Sequence, residues 1–341
     1  MSEVLITFGG YPSAPAGAER MAWRTSESLA RRGHSVTALT DSPPPADLDG
    51  EAVRPVRSDR DLAQDWQADV VHAYDLAKPE YVAMALDLAR RGGARMALTP
   101  ATAPQLWPDA ELGRAACRQA RVIYVLTSAE ARVLSGFGAT PDRIRRIPHA
   151  PDLRGRPDPT GFRRRLGLHG PTVVFAGRRI PSKGYAELLR AAPLIWRELP
   201  DTQLLFLGPN TDAAAAETFR THADPRIFDL GAVDEQTKHD AIAAADVLCL
   251  PSSADVFPLV FLEAWMCGKP VVSGDFVGAD SVVEHGVDGL IVTPRPAEIA
   301  EALVHLLSDV EIRSAMGRAG QTRVRQNFTW DRVAASVEAG Y

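Results

Sequence analysis

The sequence predicts an α/β protein built from two doubly wound parallel-sheet domains, and three observations carry that expectation. Short apolar runs alternate with helical patterns through the first half of the chain, as a parallel sheet covered by helices demands. The alternation stops near Ile147–Asp152, where a stretch rich in Gly, Pro and Arg runs to about Gly170, and then it starts again. A chain of 341 residues is also long enough for roughly two domains that each bury a core.

In order along the first half, Val4–Phe8 reads as the opening strand, Ala18–Arg32 as a helix and Ser35–Thr40 as a strand. Asp69–His72, Ala94–Leu98 and Val122–Leu126 continue the strand series, with a helix around Ala129–Gly136. Ser42–Asp49, with three consecutive prolines, reads as an exposed loop. After the break the strands are Thr172–Ala176, Gln203–Leu207, Ile227–Leu230, Val247–Leu250 and Pro270–Ser273, with helices such as Tyr185–Arg197 and Glu235–Ala244 between them. Three helical segments end the chain, the last opening near Phe328-Thr329-Trp330. Domain boundaries are expected at 1–152 and 153–326. Facing domains of this kind hold a ligand in the crevice at the carboxyl ends of their strands.

Composition narrows the class of ligand. Charged residues make up 24% and apolar residues 45%, as in an ordinary globular protein. The formal net charge of −5 argues against nucleic acid, whose phosphate backbone calls for a basic stripe. Cys117, Cys249 and Cys267 lie in apolar settings without metal-ligand spacing and read as reduced thiols. No apolar run approaches the ~18 residues of a membrane span, and Met1 leads straight into a strand, so a cytoplasmic location is expected.

The most informative stretch is Pro251–Val272, PSSADVFPLVFLEAWMCGKPVV. It sets Asp255 and Glu263 eight residues apart around an apolar turn, so that two carboxylates can hold a polyhydroxyl ligand from two sides. Between them, Phe257, Pro258, Leu259 and Val260 mark a loop becoming a helix, whose first N–H groups make a cradle for phosphate. Sugar and diphosphate together suggest a nucleotide sugar. A second constellation is Gly177-Arg178-Arg179-Ile180-Pro181-Ser182-Lys183-Gly184, which follows a strand and brings the charges of Arg178 and Lys183 to its carboxyl end. Alone, it reads equally as a solvated basic loop. The first strand is followed by Gly9, Gly10 and, before the first helix, Gly17, which allow close backbone approach to a ligand. Many α/β folds use such glycines merely to turn. Asp69-Val70-Val71-His72-Ala73-Tyr74-Asp75 places His72 and Tyr74 on one face of a strand; His72 is either a core residue or a ligand contact, and Asp75 lies nearer the strand end.

These motifs resemble the retaining glycosyltransferases of family four, which have the GT-B fold. Glu263, Ala264, Gly268, Pro270, Val271 and Val272 follow the family's E-A-x-x-x-G-x-P-V-V pattern, and residues 177–184 follow its G-R-x-x-x-x-K-G pattern. Asp255 stands in place of the usual Glu, Pro258 in place of Gly, Tyr74 in place of His, and Ser281 in place of the acid of the G-G-x-P-E turn. The resemblance implies two facing Rossmann-like domains, with the segment 327–341 crossing back to the first. It implies Arg178, Lys183 and Asp255 as catalytic residues. Glu263, Phe257, Pro258, Leu259, Val260, Gly10, Gly17, Gly231 and Val233 would bind the donor, the last two through backbone. His72, Tyr74, Asp75 and Ser128 would lie on the acceptor side. No cofactor or metal is expected beyond the co-substrate, a UDP-, GDP- or dTDP-linked sugar; the partners are this donor and a small-molecule or glycan acceptor. A sugar-nucleotide epimerase of the same fold, or a non-catalytic nucleotide-sugar binder, is the alternative. Arg114, Arg118 and Arg121 on one helix beside Leu106-Trp107 are a possible membrane-docking face, though a solvated face is the favoured reading.

Overall fold

The computed structural model describes residues 1–11, 17–48, 52–62, 67–153, 155–210 and 213–341. The chain divides into two compact units, Met1–His149 with Thr329–Tyr341, and Ala150–Phe328.

The first unit runs β1 (Glu3–Thr7), α1 (Gly17–Arg31), β2 (Ser35–Leu39), β3 (Val53–Val56), β4 (Val70–Tyr74), α2 (Pro79–Gly92), β5 (Arg95–Thr99), α3 (Ala110–Gln119), β6 (Val122–Val125), α4 (Ser128–Ser135) and β7 (Ile144–Arg146). Its seven strands lie in the order β3-β2-β1-β4-β5-β6-β7, every pair parallel. Central strands are covered on both faces, so they carry uninterrupted apolar residues: Leu5, Val71, Leu98 and Ile123 meet in one buried cluster. Local signals start and stop the helices. Asp109 caps α3 by accepting from the Leu112 N–H at 2.9 Å, and Gly93 in the left-handed region ends α2.

The second unit runs α5 (Pro159–Leu166), β8 (Thr172–Ala176), α6 (Tyr185–Glu198), β9 (Gln203–Leu207), α7 (Ala213–Thr221), β10 (Ile227–Gly231), α8 (Glu235–Ala244), β11 (Val247–Leu250), α9 (Leu259–Met266), β12 (Val271–Gly274), α10 (Ala279–Val282), β13 (Gly289–Val292), α11 (Pro296–Ser308) and α12 (Val310–Asn327). Its six parallel strands are ordered β10-β9-β8-β11-β12-β13. The last helix, α13 (Trp330–Glu338), belongs to the first unit. Tyr124 Oη donates to Val337 O at 2.5 Å, and Glu338 pairs with Arg32 and, at 3.1 Å, with His34.

Strand order reverses between β1 and β4 in one sheet and between β8 and β11 in the other. Ligands of doubly wound sheets bind beyond the strand carboxyl ends at such points. The loops there are 8–11, 75–78, 177–184 and 251–258, which contain Gly10, Asp75, Arg178, Lys183, Asp255, Phe257 and Pro258.

Three strands escape the sequence reading, and all lie at sheet edges. Val53–Val56 sets exposed Arg54 and Pro55 between two buried valines; Ile144–Arg146 carries two exposed arginines; Gly289–Val292 is only partly buried. An edge strand has one open side, so it needs no continuous apolar run and tolerates proline. The Gly-, Pro- and Arg-rich stretch up to Gly170, where the sequence pattern showed no element, holds α5. Asp158 caps this helix by accepting from the Gly161 N–H at 2.8 Å, Pro159 opens it, and Gly167 closes it at φ 65°.

Candidate functional site

In the second unit, the β8 loop and the β11 loop are joined at the backbone. Ser253 N donates to Ser182 O at 2.9 Å. Gly184 has φ +75°, and a Cβ there would lie 2.3 Å from Pro251 O, so only glycine lets the two loops close to this distance. The approach brings Lys183 to Asp255, Nζ to Oδ2 at 2.5 Å. Asp255 also accepts from Ser252 Oγ at 3.3 Å and from its neighbour's amide, Val256 N, at 3.1 Å. Arg178 lies half-buried on the same loop as Lys183.

Pro258 caps α9, and the Phe261 N–H bonds back to Pro258 O at 3.1 Å. The amides of Leu259 and Val260 fall in the first turn, where no carbonyl four residues earlier can accept from them. Phe257, Pro258 and Leu259 are buried, and Phe257 packs edge-on to Phe328 with ring centroids 5.8 Å apart. This packing fixes the helix start. Glu263, one turn further on and 2% exposed, receives Lys238 Nζ at 2.7 Å. Lys238 projects from α8 and also reaches Glu235 at 2.8 Å.

Sequence reasoning missed Lys238. The available signal was that Asp234 caps α8, accepting from the Thr237 N–H at 2.7 Å, so a residue four positions on returns to the same side of the helix. Gly231 ends β10 at φ +64°, and Val233 follows it, half-buried. In place of the acid in the turn after β12, Ser281 lies exposed within the short α10.

In the first unit, Gly10 is held from both sides: its N–H donates to Asp41 Oδ1 at 2.6 Å and its carbonyl accepts from Lys78 Nζ at 2.5 Å. The Gly10 bond, followed by the Tyr81 hydroxyl, holds the Asp41 carboxyl below its usual range against the opposing effect of burial. Gly17 opens α1, and among the described residues no atom lies within 4 Å of where its Cβ would be; residues 12–16 of this loop lie outside the described residues. Asp75, just past β4, is 2% exposed and sits at φ 68°, a conformation uncommon for any residue but glycine. Three donors hold it there: Tyr11 Oη at 2.8 Å, Thr102 Oγ1 at 2.5 Å and the Ala77 N–H at 3.0 Å. Lys78 Nζ lies 4.2 Å from the centroid of the Tyr11 ring. Ser128 is exposed at the start of α4.

His72 lies in the middle of β4 and Tyr74 at its last position, and both side chains are turned into the interior of the first unit. Both are 0% exposed, their rings 4.4 Å apart. His72 Nδ1 lies 2.8 Å from Tyr341 Oη and Nε2 lies 2.8 Å from Thr99 Oγ1, so both ring nitrogens are engaged. Burial lowers the His72 pKa from 6.5 to about 3 and raises that of the Tyr74 phenol. The face carrying Arg114 is tied to the surface beneath it: Arg114 reaches Glu111 at 3.3 Å and lies 4.8 Å from the Phe137 ring centroid, and Leu106 is 44% exposed. No helix among the described residues is long and apolar enough to cross a membrane. A cavity of about 430 Å³ beside edge strand β13, lined by His285, Val292, Glu298 and His305 among others, lies apart from the candidate residues.

Comparison with known proteins adds to this geometry. Residues 15–154 match the family described as Glycosyltransferase Family 4, and residues 170–309 match the one described as Glycosyl transferases group 1. A GDP-mannose-dependent alpha-(1-6)-phosphatidylinositol monomannoside mannosyltransferase of Mycolicibacterium smegmatis is 32% identical over 266 residues, 71% of this chain and 69% of that protein. A D-inositol 3-phosphate glycosyltransferase of Jonesia denitrificans is 32% identical over 246 residues, 65% of this chain. The match spans 57% of the Jonesia protein and 58% of a Corynebacterium glutamicum mannosyltransferase, so well under two thirds of these relatives is represented. Among solved structures, Anabaena HepE in complex with UDP-glucose has a TM-score of 0.82 at 19% identity, over 99% of both chains.

Proposed function

Because the chain belongs to the group 1, family 4 glycosyltransferases, we propose that it transfers a sugar from a nucleoside diphosphate donor to an acceptor hydroxyl, with retention of configuration. The observation that carries this reading is the pair Asp255 and Glu263 on either side of the first turn of α9, each carboxylate held by a lysine from another element. Glu263 accepts from the ribose hydroxyls and Asp255 from a hydroxyl of the donor sugar. The amides of Leu259 and Val260 meet the diphosphate, as a helix N-terminus favours.

Arg178 and Lys183 stabilise the charge that develops as the anomeric carbon–oxygen bond to the diphosphate breaks. The acceptor oxygen forms its new bond on the same face of the sugar, and its proton passes to the departing phosphate oxygen. No side-chain base is required by this route. Lys183 has to share its charge between Asp255 and the diphosphate, so the two carboxylates also keep both lysines in place for the donor.

The mannosyltransferase relatives are named as GDP-mannose-dependent and the Jonesia relative for D-inositol 3-phosphate, so GDP-mannose with inositol phosphates and inositol glycosides heads the panel of substrates. The polar cluster of Asp75, Tyr11, Thr102 and Gly10 supports a polyol acceptor on the first unit. The deciding experiment is proton NMR of the product: an α-linked donor is expected to give an α-linked glycoside. A β-linked product would overturn retention, and an altered free sugar released without acceptor would replace the transferase with an epimerase.

A further inference from the structure

Arg178 and Arg179 are neighbours with opposite fates. Arg178 is half-exposed, whereas Arg179 is 0% exposed, one of the largest fully buried side chains of the chain. Burying a guanidinium is costly unless its donors are met; both terminal nitrogens of Arg179 find partners, while Nε has none among the described residues. The partners come from three separate segments. One terminal nitrogen donates to Asn210 Oδ1 at 2.7 Å in the loop after β9; the other donates to Phe206 O on β9 at 3.3 Å and to Asp229 on β10. The guanidinium carbon lies 4.4 Å from the ring centroid of Phe219 on α7.

The backbone extends the same connection. Arg179 N donates to Pro209 O at 3.2 Å, Gly177 N to Leu207 O at 2.9 Å, and Gly208 N to Gly231 O at 2.7 Å. Asp229, while paired with Arg179, also accepts from the Gly231 N–H at 3.1 Å. Gly208, at φ +130°, would place a Cβ only 2.0 Å from Gly177 O, so the first two loops are in direct backbone contact. Arg179 therefore fastens the loop of Arg178 and Lys183 to the loop after β9 and to the end of β10, which leads into Val233.

We propose that Arg179 is a positioning residue of the donor site, which sets nucleotide affinity by holding these three loops in one arrangement without itself touching the substrate. The inference rests on the reading given above, in which Arg178 and Lys183 act on the donor diphosphate and Gly231 and Val233 bind the donor through backbone. A planar fork is needed, because only a guanidinium reaches Asn210 and Asp229 through different nitrogens at once; an ammonium in its place offers a single point charge.

The test uses the full chain and isothermal titration calorimetry with GDP, UDP and dTDP, together with donor kinetics and thermal unfolding. Asn210→Ala removes an exposed partner of the fork, and Arg179→Lys keeps the charge while losing the fork. Both are expected to raise the Kd of the best nucleotide and the donor KM about tenfold, with any fall in kcat at saturating donor much smaller than the hundredfold expected of Lys183→Ala. Wild-type Kd and KM in Asn210→Ala, whose fold is not at risk, would overturn the proposal, as would lowered thermal stability in Arg179→Lys with unchanged affinity. If the wild-type protein bound no nucleoside diphosphate, the donor-site reading would fall and this inference with it. A wild type that binds while the variants bind equally well overturns the role of Arg179 alone.

Discussion

Lys183 Nζ lies 2.5 Å from Asp255 Oδ2, joining two loops 72 residues apart in sequence. The pair is partly solvated, with side chains 18% and 13% exposed. Both side chains keep some contact with water, so the pair contributes less to folding than a fully buried one and its worth lies mainly in placement. Lys183→Ala is expected to lower kcat by about a hundredfold, roughly 3 kcal/mol of transition-state stabilisation, with thermal stability near that of wild type. Steady-state kinetics with the best donor checks this. Undiminished kcat would remove Lys183 from the reaction.

Lys238 and Glu263 form a second pair, 2.7 Å apart, in which the carboxylate is almost wholly buried. Removing one partner of such a pair leaves a desolvated charge, so Lys238→Met is expected to cost on the order of 2–3 kcal/mol of stability. Glu263→Gln should weaken nucleotide binding, because an amide puts a donor where a carboxylate accepts from hydroxyls. The double variant should recover part of the stability lost in Lys238→Met. Urea unfolding of the four proteins measures this coupling; strict additivity would mean that the two side chains act independently.

Gly184→Ala should be among the most damaging small substitutions in the second unit. The position has φ +75°, and the new methyl would meet Pro251 O at 2.3 Å. Strain of this kind costs on the order of 1–3 kcal/mol, and the displacement of Pro251 would carry Asp255 away from Lys183. A fall in melting temperature with a raised donor KM is expected. A variant with wild-type KM would separate the glycine from the site.

His72 offers a test of stability against pH. Its folded pKa is about 3, below its ordinary 6.5, because burial disfavours the charged ring. Between these values the unfolded chain binds the proton and the folded chain does not, so stability is full above pH 6.5 and is lost as the pH falls toward 3. The loss should amount to a few kcal/mol. In His72→Gln, the fall in unfolding midpoint between neutral and mildly acid pH should be clearly smaller than in wild type. Equal slopes would mean that other groups carry the acid response.

The alternation of apolar runs and helices, the acids at 255 and 263 and the basic loop at 177–184 were legible in the sequence because each is a local pattern. A parallel strand buried on both faces must be apolar throughout, and a loop leaving such a strand must begin with residues that can turn. Edge strands carry no such obligation, so Val53–Val56, Ile144–Arg146 and Gly289–Val292 became strands only through their neighbours. Pairing was likewise decided by the tertiary structure. The G-R-x-x-x-x-K-G pattern singled out Arg178 and left Arg179 at a free position, yet Arg178 is half-exposed and Arg179 is enclosed by Phe206, Asn210, Asp229 and Phe219. Strand alternation put His72 and Tyr74 on one face, but their burial depended on Tyr341, Thr99 and Tyr124 arriving from distant segments. The sequence by itself determined which residue types are available at the strand ends; the packing of the loops determined their partners, because a charge's partner depends on distance in space and not along the chain.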